Sequence, residues 1–397
     1  MNNRLGFYQV AQNTFTDKLD AILYAKLTKS DITWNFNDHV YEKVDWKQEP
    51  SLSLDEYYKT RAQQIRDEYD YVIVLCSGGG DSTNVVMSFL KNNIKVDEII
   101  AAAPLEGLKN YLVNDVDTSA GNTMSETMLA QIPLMEKIHS EYPHVKITIN
   151  DYFRNLLEYK TDDWLFRSGE WIHPTSSARY ELDKLIHIKD LAEAGKKIGI
   201  VYGIDKPLLY YGNDNILGIF INDLAVNVQR PAFKDRYENV HNVLFYFAPD
   251  LPDMQIKQAH VLAKWIHQPE NYFARSKILD FRKVGLTTEG HKIRNSFYER
   301  AIIPCIYPST YRPVFQGHKP TRNFLGEHDD WFYKKYYDTQ TFQMITSDFR
   351  NFFKEIDSIY LNEGRTGMKN FFKFYPIGKI NDFNPVSIKT DSLISAS

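Results

Sequence analysis

The chain has 397 residues, enough for one large domain or two ordinary ones, and its 43% hydrophobic and 25% charged residues are the balance of a globular protein. A net charge of −4 argues against a dedicated nucleic-acid binder, and two cysteines, Cys76 and Cys305, with no Cys-x-x-Cys pair argue against a zinc ribbon or iron–sulfur site. No stretch of about 18 uncharged apolar residues predicts a membrane span, no apolar leader opens the sequence, and cysteine usage is low, so a cytoplasmic location is expected.

Residues 1–50 read as a small α+β unit. A strand over 6–10 precedes an amphipathic helix over 16–27, with Leu19, Ile22, Leu23 and Leu27 spaced for one face, and 32–36 alternates like a second strand. Ser53 and Glu56 have the spacing of a capping box and open a helix running to about residue 67. Then come a strand over 71–76, a glycine-rich turn, a helix over 83–92 and a strand over 98–103. A second capping box, Thr123 to Glu126, opens a helix to about residue 139, followed by a strand over 145–149, a helix over 177–194 and a strand over 197–202. This alternation predicts an α/β, Rossmann-like domain over 51–214, a parallel sheet with flanking helices. Ligands in such sheets bind beyond the C-terminal strand ends.

Beyond residue 215 the alternation weakens. Strands are expected over 216–228 and 242–247 and helices over 253–267 and 347–361. Residues 300–313, with Pro304, Pro308 and Pro313, read as loop. Residues 215–385 are read as an aromatic-rich C-terminal substrate or lid region, and 386–397 as a tail. Of the 26 tyrosines and 24 phenylalanines, many fall after residue 240; a core role is the default, with base stacking or a protein interface as alternatives.

The most chemistry lies in Ser77-Gly78-Gly79-Gly80-Asp81-Ser82, between the apolar strand and a helix. Such a turn aims backbone N–H groups and a helix N-terminus at one point, which suits a phosphate. The glycines allow close main-chain approach, Ser77, Ser82 and Thr83 add hydroxyls, and Asp81 offers a carboxylate to magnesium. The pattern is not a Walker loop, because no lysine follows. Nor is it the dinucleotide fingerprint, because Thr83 stands where a glycine or alanine is needed. A second segment, Gly203-Ile204-Asp205-Lys206-Pro207, also follows an apolar strand. Lys206 could neutralise charge on the α-phosphate or leaving pyrophosphate, and Asp205 could bind magnesium or orient Lys206; otherwise the segment is a surface turn fixed by Pro207.

The six residues match Ser-Gly-Gly-x-Asp-Ser. In this strand–turn–helix context the chain resembles the PP-loop ATP pyrophosphatase superfamily, also described as adenine nucleotide alpha hydrolase-like, with the HUP-type Rossmann-like domain. It is nearest to the asparagine synthetase, queuosine-precursor and PAPS reductase-like group. The resemblance covers about residues 70–210. It implies ATP and Mg2+ as cofactors, with Ser77, Gly78, Gly79, Gly80, Asp81, Ser82 and Thr83 around the phosphates, adenine near Ala102 and Ala103, metal on Asp81, and catalytic roles for Asp81, Asp205 and Lys206. It further implies AMP and pyrophosphate formation, activating a carboxylate or carbonyl for an amine, ammonia or sulfur donor. Asparagine synthetases usually carry glutamate where this chain has Lys206. Their cysteine nucleophile is replaced here by Asn2, and the C-terminal cysteine of PAPS reductases has no counterpart in Ile394-Ser395-Ala396-Ser397. Ammonia is then expected free or from a partner protein, and a homo-oligomer is compatible with the sequence. The alternatives are a reductase or sulfurtransferase of the same fold, and a nucleotide-binding assembly or regulatory protein without turnover.

Four weaker features favour ordinary structure. His328-Asp329-Asp330 reads as a solvated loop rather than a metal site. Arg312, Lys319 and Arg322 read as a mixed surface loop. His173, between Trp164 and Arg179, reads as structural rather than a general base. Cys76 reads as a buried packing residue.

Overall fold

The computed structural model describes residues 5–16, 18–103, 105, 127–151, 182, 184–204, 207, 209–211, 216–222, 237–276, 299–311 and 372–383. At the N-terminus, β1 (Phe7–Val10), β2 (Asn13–Phe15) and β3 (Ile32–Asn35) form an antiparallel sheet in the order β2-β1-β3. Helix α1 (Lys18–Thr28) connects β2 to β3. Among its described side chains Ala21 and Ala25 are buried, whereas Leu27, expected on one face with Leu19, Ile22 and Leu23, is 80% exposed; the side chains of those three lie outside the described residues. Two residues beyond Ala25, a 3.6-residue repeat carries the chain to the far side of the helix. The short α2 (Asp38–Tyr41) follows.

Helix α3 (Leu54–Glu68) begins as its sequence dictates. Ser53 Oγ accepts from the Glu56 N–H at 3.3 Å, and Glu56 Oε2 accepts from the Ser53 N–H at 2.8 Å. Its buried face is Leu54, Tyr57, Tyr58, Arg61, Ala62 and Ile65, a stripe at helical spacing. Next come β4 (Tyr71–Leu75), α4 (Gly80–Leu90), β5 (Glu98–Ala103), a π-turn over Thr127–Gln131, α5 (Ile132–Glu141), β6 (Lys146–Asp151), α6 (Ile186–Glu193) and β7 (Ile198–Tyr202). Helix α4 starts three residues earlier than the apolar pattern suggests, because the extended Gly79 serves as its N-cap. Helix α6 starts later: Leu182, Lys184 and Leu185 are described and non-helical, and 177–181 lie outside the described residues, as does the capping box at 123–126.

After β7 the chain makes β8 (Leu209–Tyr211) and β9 (Ile216–Asn222) before returning as β10 (Val240–Leu244). Strand β10 pairs parallel with β7, so the central sheet extends beyond residue 214, the domain end expected from sequence. All five strands of this sheet are parallel and lie in the order β6-β5-β4-β7-β10. Counted along the chain this is third, second, first, fourth, fifth, the doubly wound Rossmann-like arrangement. Val72, Ile73 and Val74 of the middle strand are fully buried, as expected for a continuous β-branched run covered on both faces.

Helix α7 (Pro252–Ile266), begun by a proline, packs on α3. The predicted loop over 300–313 is in part a helix, α8 (Glu299–Ile306), packed on α7. Ile302, Ile303, Ile306 and Tyr307 fall at helical spacing and are buried, and this apolar face outweighs Pro304, the residue that suggests loop. Strand β11 (Phe372–Lys379) pairs antiparallel with β9, giving a small sheet β8-β9-β11. The expected helix over 347–361 lies outside the described residues.

Many of the described aromatic side chains lie in the core. Trp46 stacks on Tyr375 at 4.7 Å between ring centroids, and Phe36 meets Phe247 edge-on at 6.0 Å, so the N-terminal unit, β11 and the residues after β10 share one hydrophobic interior. Among the described residues, no helix is long and apolar enough to cross a membrane.

The edge of the sheet where β4, β5 and β6 begin is tied together by Glu98, which is fully buried. Its carboxylate accepts from Tyr71 Oη at 2.9 Å and from Thr148 Oγ1, and lies 3.0 Å from His187 Nε2 and 3.4 Å from Lys146 Nζ. Burial alone would raise its pKa, but hydrogen bonds from Thr148, His187 and Tyr71 together hold it below the usual carboxylate range. A depressed pKa means that this network stabilises the fold in full above the unfolded-state value, about 4.3, and loses that contribution as pH falls below it through the lower folded-state value. The denaturant midpoint of the parent chain should therefore drop between about pH 5 and pH 3 more steeply than that of Glu98→Gln, measured by circular dichroism. Parallel declines in the two proteins would contradict this assignment.

Candidate functional site

In a sheet of this order the crevice lies at the C-terminal ends of the first and fourth strands, here β4 and β7, where the chain turns to opposite sides. The glycine-rich segment occupies this point. Gly78 has φ +81°, and a Cβ there would lie 2.7 Å from the Gln131 backbone. Only glycine satisfies both the left-handed backbone and the contact with the π-turn. Gly79 is extended, and no side chain caps the helix it begins, so the first turn of α4 presents backbone N–H groups without a side-chain acceptor at the N-cap. Gly79, Gly80 and Asp81 remain partly exposed, whereas Gly78, Ser82 and Thr83 are buried.

The hydroxyls of the motif stabilise the loop itself. Ser82 Oγ accepts from the Ser77 N–H at 3.2 Å, lies 3.2 Å from Ser77 Oγ and donates to the Gly79 carbonyl at 3.3 Å. Thr83 Oγ1 donates to the Gly78 carbonyl at 3.3 Å. Ser77 Oγ also accepts from the Gly79 N–H at 3.4 Å, so the partly exposed main chain offered to an anion centres on Gly80 and Asp81, narrower than the whole motif.

The second expected segment reaches this point through its first residue. A Cβ on Gly203 would lie 3.0 Å from Ser82 Cα, so the chain leaving β7 runs against the first turn of α4. Asp205 and Lys206 lie outside the described residues. Ala102 and Ala103 close β5, and the Ala102 carbonyl accepts from Gln131 Nε2 at 3.2 Å. The same Gln131 amide donates to the Cys76 carbonyl at 2.9 Å, bridging the ends of β4 and β5. Cys76 is buried, as expected for a packing residue. Burial pushes the Cys305 thiol up to about 12, which leaves no reactive thiolate there at neutral pH.

Sequence reasoning missed the residues around Asp81. Tyr307, just past α8, donates from its hydroxyl to Asp81 Oδ1 at 2.7 Å, and Tyr246, just past β10, donates to the Asp81 carbonyl at 2.8 Å. Asn84 Nδ2 donates to Tyr246 Oη at 3.0 Å, and Thr310 Oγ1 to Asn84 Oδ1 at 2.6 Å. The spacing of Ile302, Ile303, Ile306 and Tyr307 is the one available signal, masked by Pro304 and Pro308. Nothing local marks Gln131, whose role depends on chain packing brought from elsewhere.

The donor set of the segment fits a magnesium–nucleotide pair. Magnesium is commonly held by one or two carboxylates together with substrate phosphates and water, and Asp81 supplies a carboxylate beside an uncapped helix start. Among the described residues, no group of three histidine, cysteine, aspartate or glutamate side chains could hold a metal unaided. His173, Arg312, Lys319, Arg322 and His328-Asp329-Asp330 lie outside the described residues. No protein-family model matches the chain, and a search of curated proteins finds no match.

The close approach at Gly78 can be tested against Gly195, which has φ +79° but nothing within 4 Å of the point where a Cβ would stand. Gly195→Ala should cost about 1 kcal/mol of unfolding free energy from backbone strain alone, whereas Gly78→Ala should cost at least about 3 kcal/mol, read from urea denaturation. Equal losses at the two sites would show that Gln131 yields to the new methyl group.

Proposed function

We propose that the five-stranded sheet is a PP-loop ATP-binding domain and that the protein splits ATP between its α and β phosphates. The observation that carries this reading is the position of Ser77 to Ser82. The motif stands at the C-terminal end of the first strand of a third-second-first-fourth-fifth sheet, with an uncapped helix start and a glycine that admits no side chain. These features favour a polyphosphate against the main chain at Gly80 and Asp81, the start of the helix.

In this reading a carboxylate or carbonyl oxygen of the acceptor attacks the α-phosphorus. The bond from the α-phosphorus to the bridging oxygen breaks, and pyrophosphate leaves with that oxygen. An amine, ammonia or sulfur nucleophile then attacks the activated carbon, and AMP departs. Magnesium bound at Asp81 would offset phosphate charge. The chain's own contribution is to hold the leaving pyrophosphate against backbone N–H groups already oriented by the Ser77–Ser82 contacts, so little reorganisation accompanies charge development. Lys206 is assigned to the α-phosphate and Asp205 to magnesium or to Lys206. The end of β5, at Ala102 and Ala103, is assigned to the adenine.

The test is incubation of the full chain with α-labelled ATP, magnesium and a metabolite extract. AMP and pyrophosphate should form in equal amounts. Asp81→Asn, which keeps an oxygen acceptor for Tyr307, should lower AMP formation about 100-fold while leaving the thermal midpoint nearly unchanged. Undiminished AMP formation by this variant would remove Asp81 from the reaction, and ADP in place of AMP would remove α–β cleavage.

A further inference from the structure

We propose that Tyr307 is a positioning residue for Asp81, fixing its carboxylate in the orientation that takes magnesium beside the bound nucleotide; this inference rests on the ATP reading above. Two buried phenols converge on this one residue. Tyr307 Oη donates to Asp81 Oδ1 at 2.7 Å while Tyr246 Oη donates to the Asp81 main-chain carbonyl at 2.8 Å. The two rings stack, with centroids 5.5 Å apart and planes 29° from parallel. Tyr307 is 1% exposed, so its hydroxyl cannot swing into solvent without displacing the segment that carries it.

That segment is anchored along two helices. The Ile306 carbonyl accepts from Tyr58 Oη of α3 at 2.6 Å, Ser309 Oγ donates to Asp55 Oδ1 of α3 at 2.6 Å, and the Ser309 carbonyl accepts from Lys91 Nζ just past α4. Thr310 holds Asn84, which in turn holds Tyr246. Residues 306–310 thus set the hydroxyl of Tyr307 against a carboxylate that the fold has already fixed at its main chain. A carboxylate with one oxygen held by a fixed donor has lost most of its rotational freedom before a metal arrives. Outer hydrogen bonds of this kind typically contribute about 10-fold or more to metal affinity.

The experiment is calorimetric titration of ATP into the full chain at a series of magnesium concentrations. Tyr307→Phe keeps the ring on Tyr246 and removes only the hydroxyl. It should raise the magnesium concentration for half-maximal ATP binding about 10-fold and leave ATP affinity without magnesium unchanged. Thr310→Val, which breaks the chain from Thr310 through Asn84 and Tyr246 to the Asp81 carbonyl but leaves the Tyr307 hydroxyl on Asp81 Oδ1, should shift the magnesium dependence well under half as far as Tyr307→Phe and so separates the direct contact from the docking of its segment. An unchanged magnesium dependence in Tyr307→Phe overturns the inference, as does an equal shift in Thr310→Val. Tighter magnesium binding in Tyr307→Phe also overturns it, since the hydroxyl would then compete with the metal. A parent chain that binds no ATP removes the ATP reading itself, whereas normal binding by the parent with an unmoved Tyr307→Phe removes only the role given to Tyr307.

Discussion

A central strand buried on both faces must pass its chain to a helix within four residues, and Gly78 is the hinge of that passage. Its left-handed backbone turns the chain out of the sheet, and its missing side chain lets the backbone of Gln131 close over the turn. From this follow the extended Gly79, the early start of α4 and the placement of Asp81 in the first helical turn, where a negative charge suits the helix dipole. The serines then join across the turn and keep it closed. Remove the hinge and both the direction of α4 and the position of Asp81 are lost together.

Around that hinge the molecule brings in parts of the chain far apart in sequence. Gly203 arrives from the end of β7, Tyr246 from the end of β10 and Tyr307 from the end of α8. A parallel sheet makes this natural, because all its strands finish on one edge and the chain must leave that edge each time. Arg61 assists from α3: buried, it donates to the Leu244 and Phe245 carbonyls at 2.9 and 3.2 Å, closing the end of β10 just before Tyr246. The opposite edge carries Glu98 and its donors, and its polar groups serve to hold strands together.

How much of this is legible in the sequence varies with the range of the interactions involved. The capping box of α3 and the strands β4, β5, β6 and β7 are local patterns, and the structure has them where propensity and periodicity put them, whereas the helices α5 and α6 start later than their patterns suggest. The glycine turn is legible because strand, turn and helix adjoin. The start of α4 is not, because Gly80 and Asp81 are poor helix formers by propensity, yet the N-cap at Gly79 governs. Helix α8 is hidden because Pro304 reads as a breaker until its apolar face meets α7. Strand β10 reads as a strand from its residues, but its membership of the parallel sheet depends on pairing with β7 across an intervening antiparallel ribbon, which no local pattern announces. The phenols around Asp81 are assembled by tertiary packing alone.

The ribbon between β7 and β10 has a further effect, on the order in which the protein can be made. Strand β9 gains its outer neighbour only from β11, and Lys373 on β11 reaches back across 335 positions to Asp38 in the N-terminal unit. Closing so wide a loop costs entropy before any contact returns it, and contacts of such separation form slowly. A nascent chain therefore emerges from the ribosome with an unpaired strand edge on β9 and an incomplete aromatic interior, and waits on its last described strand to seal both.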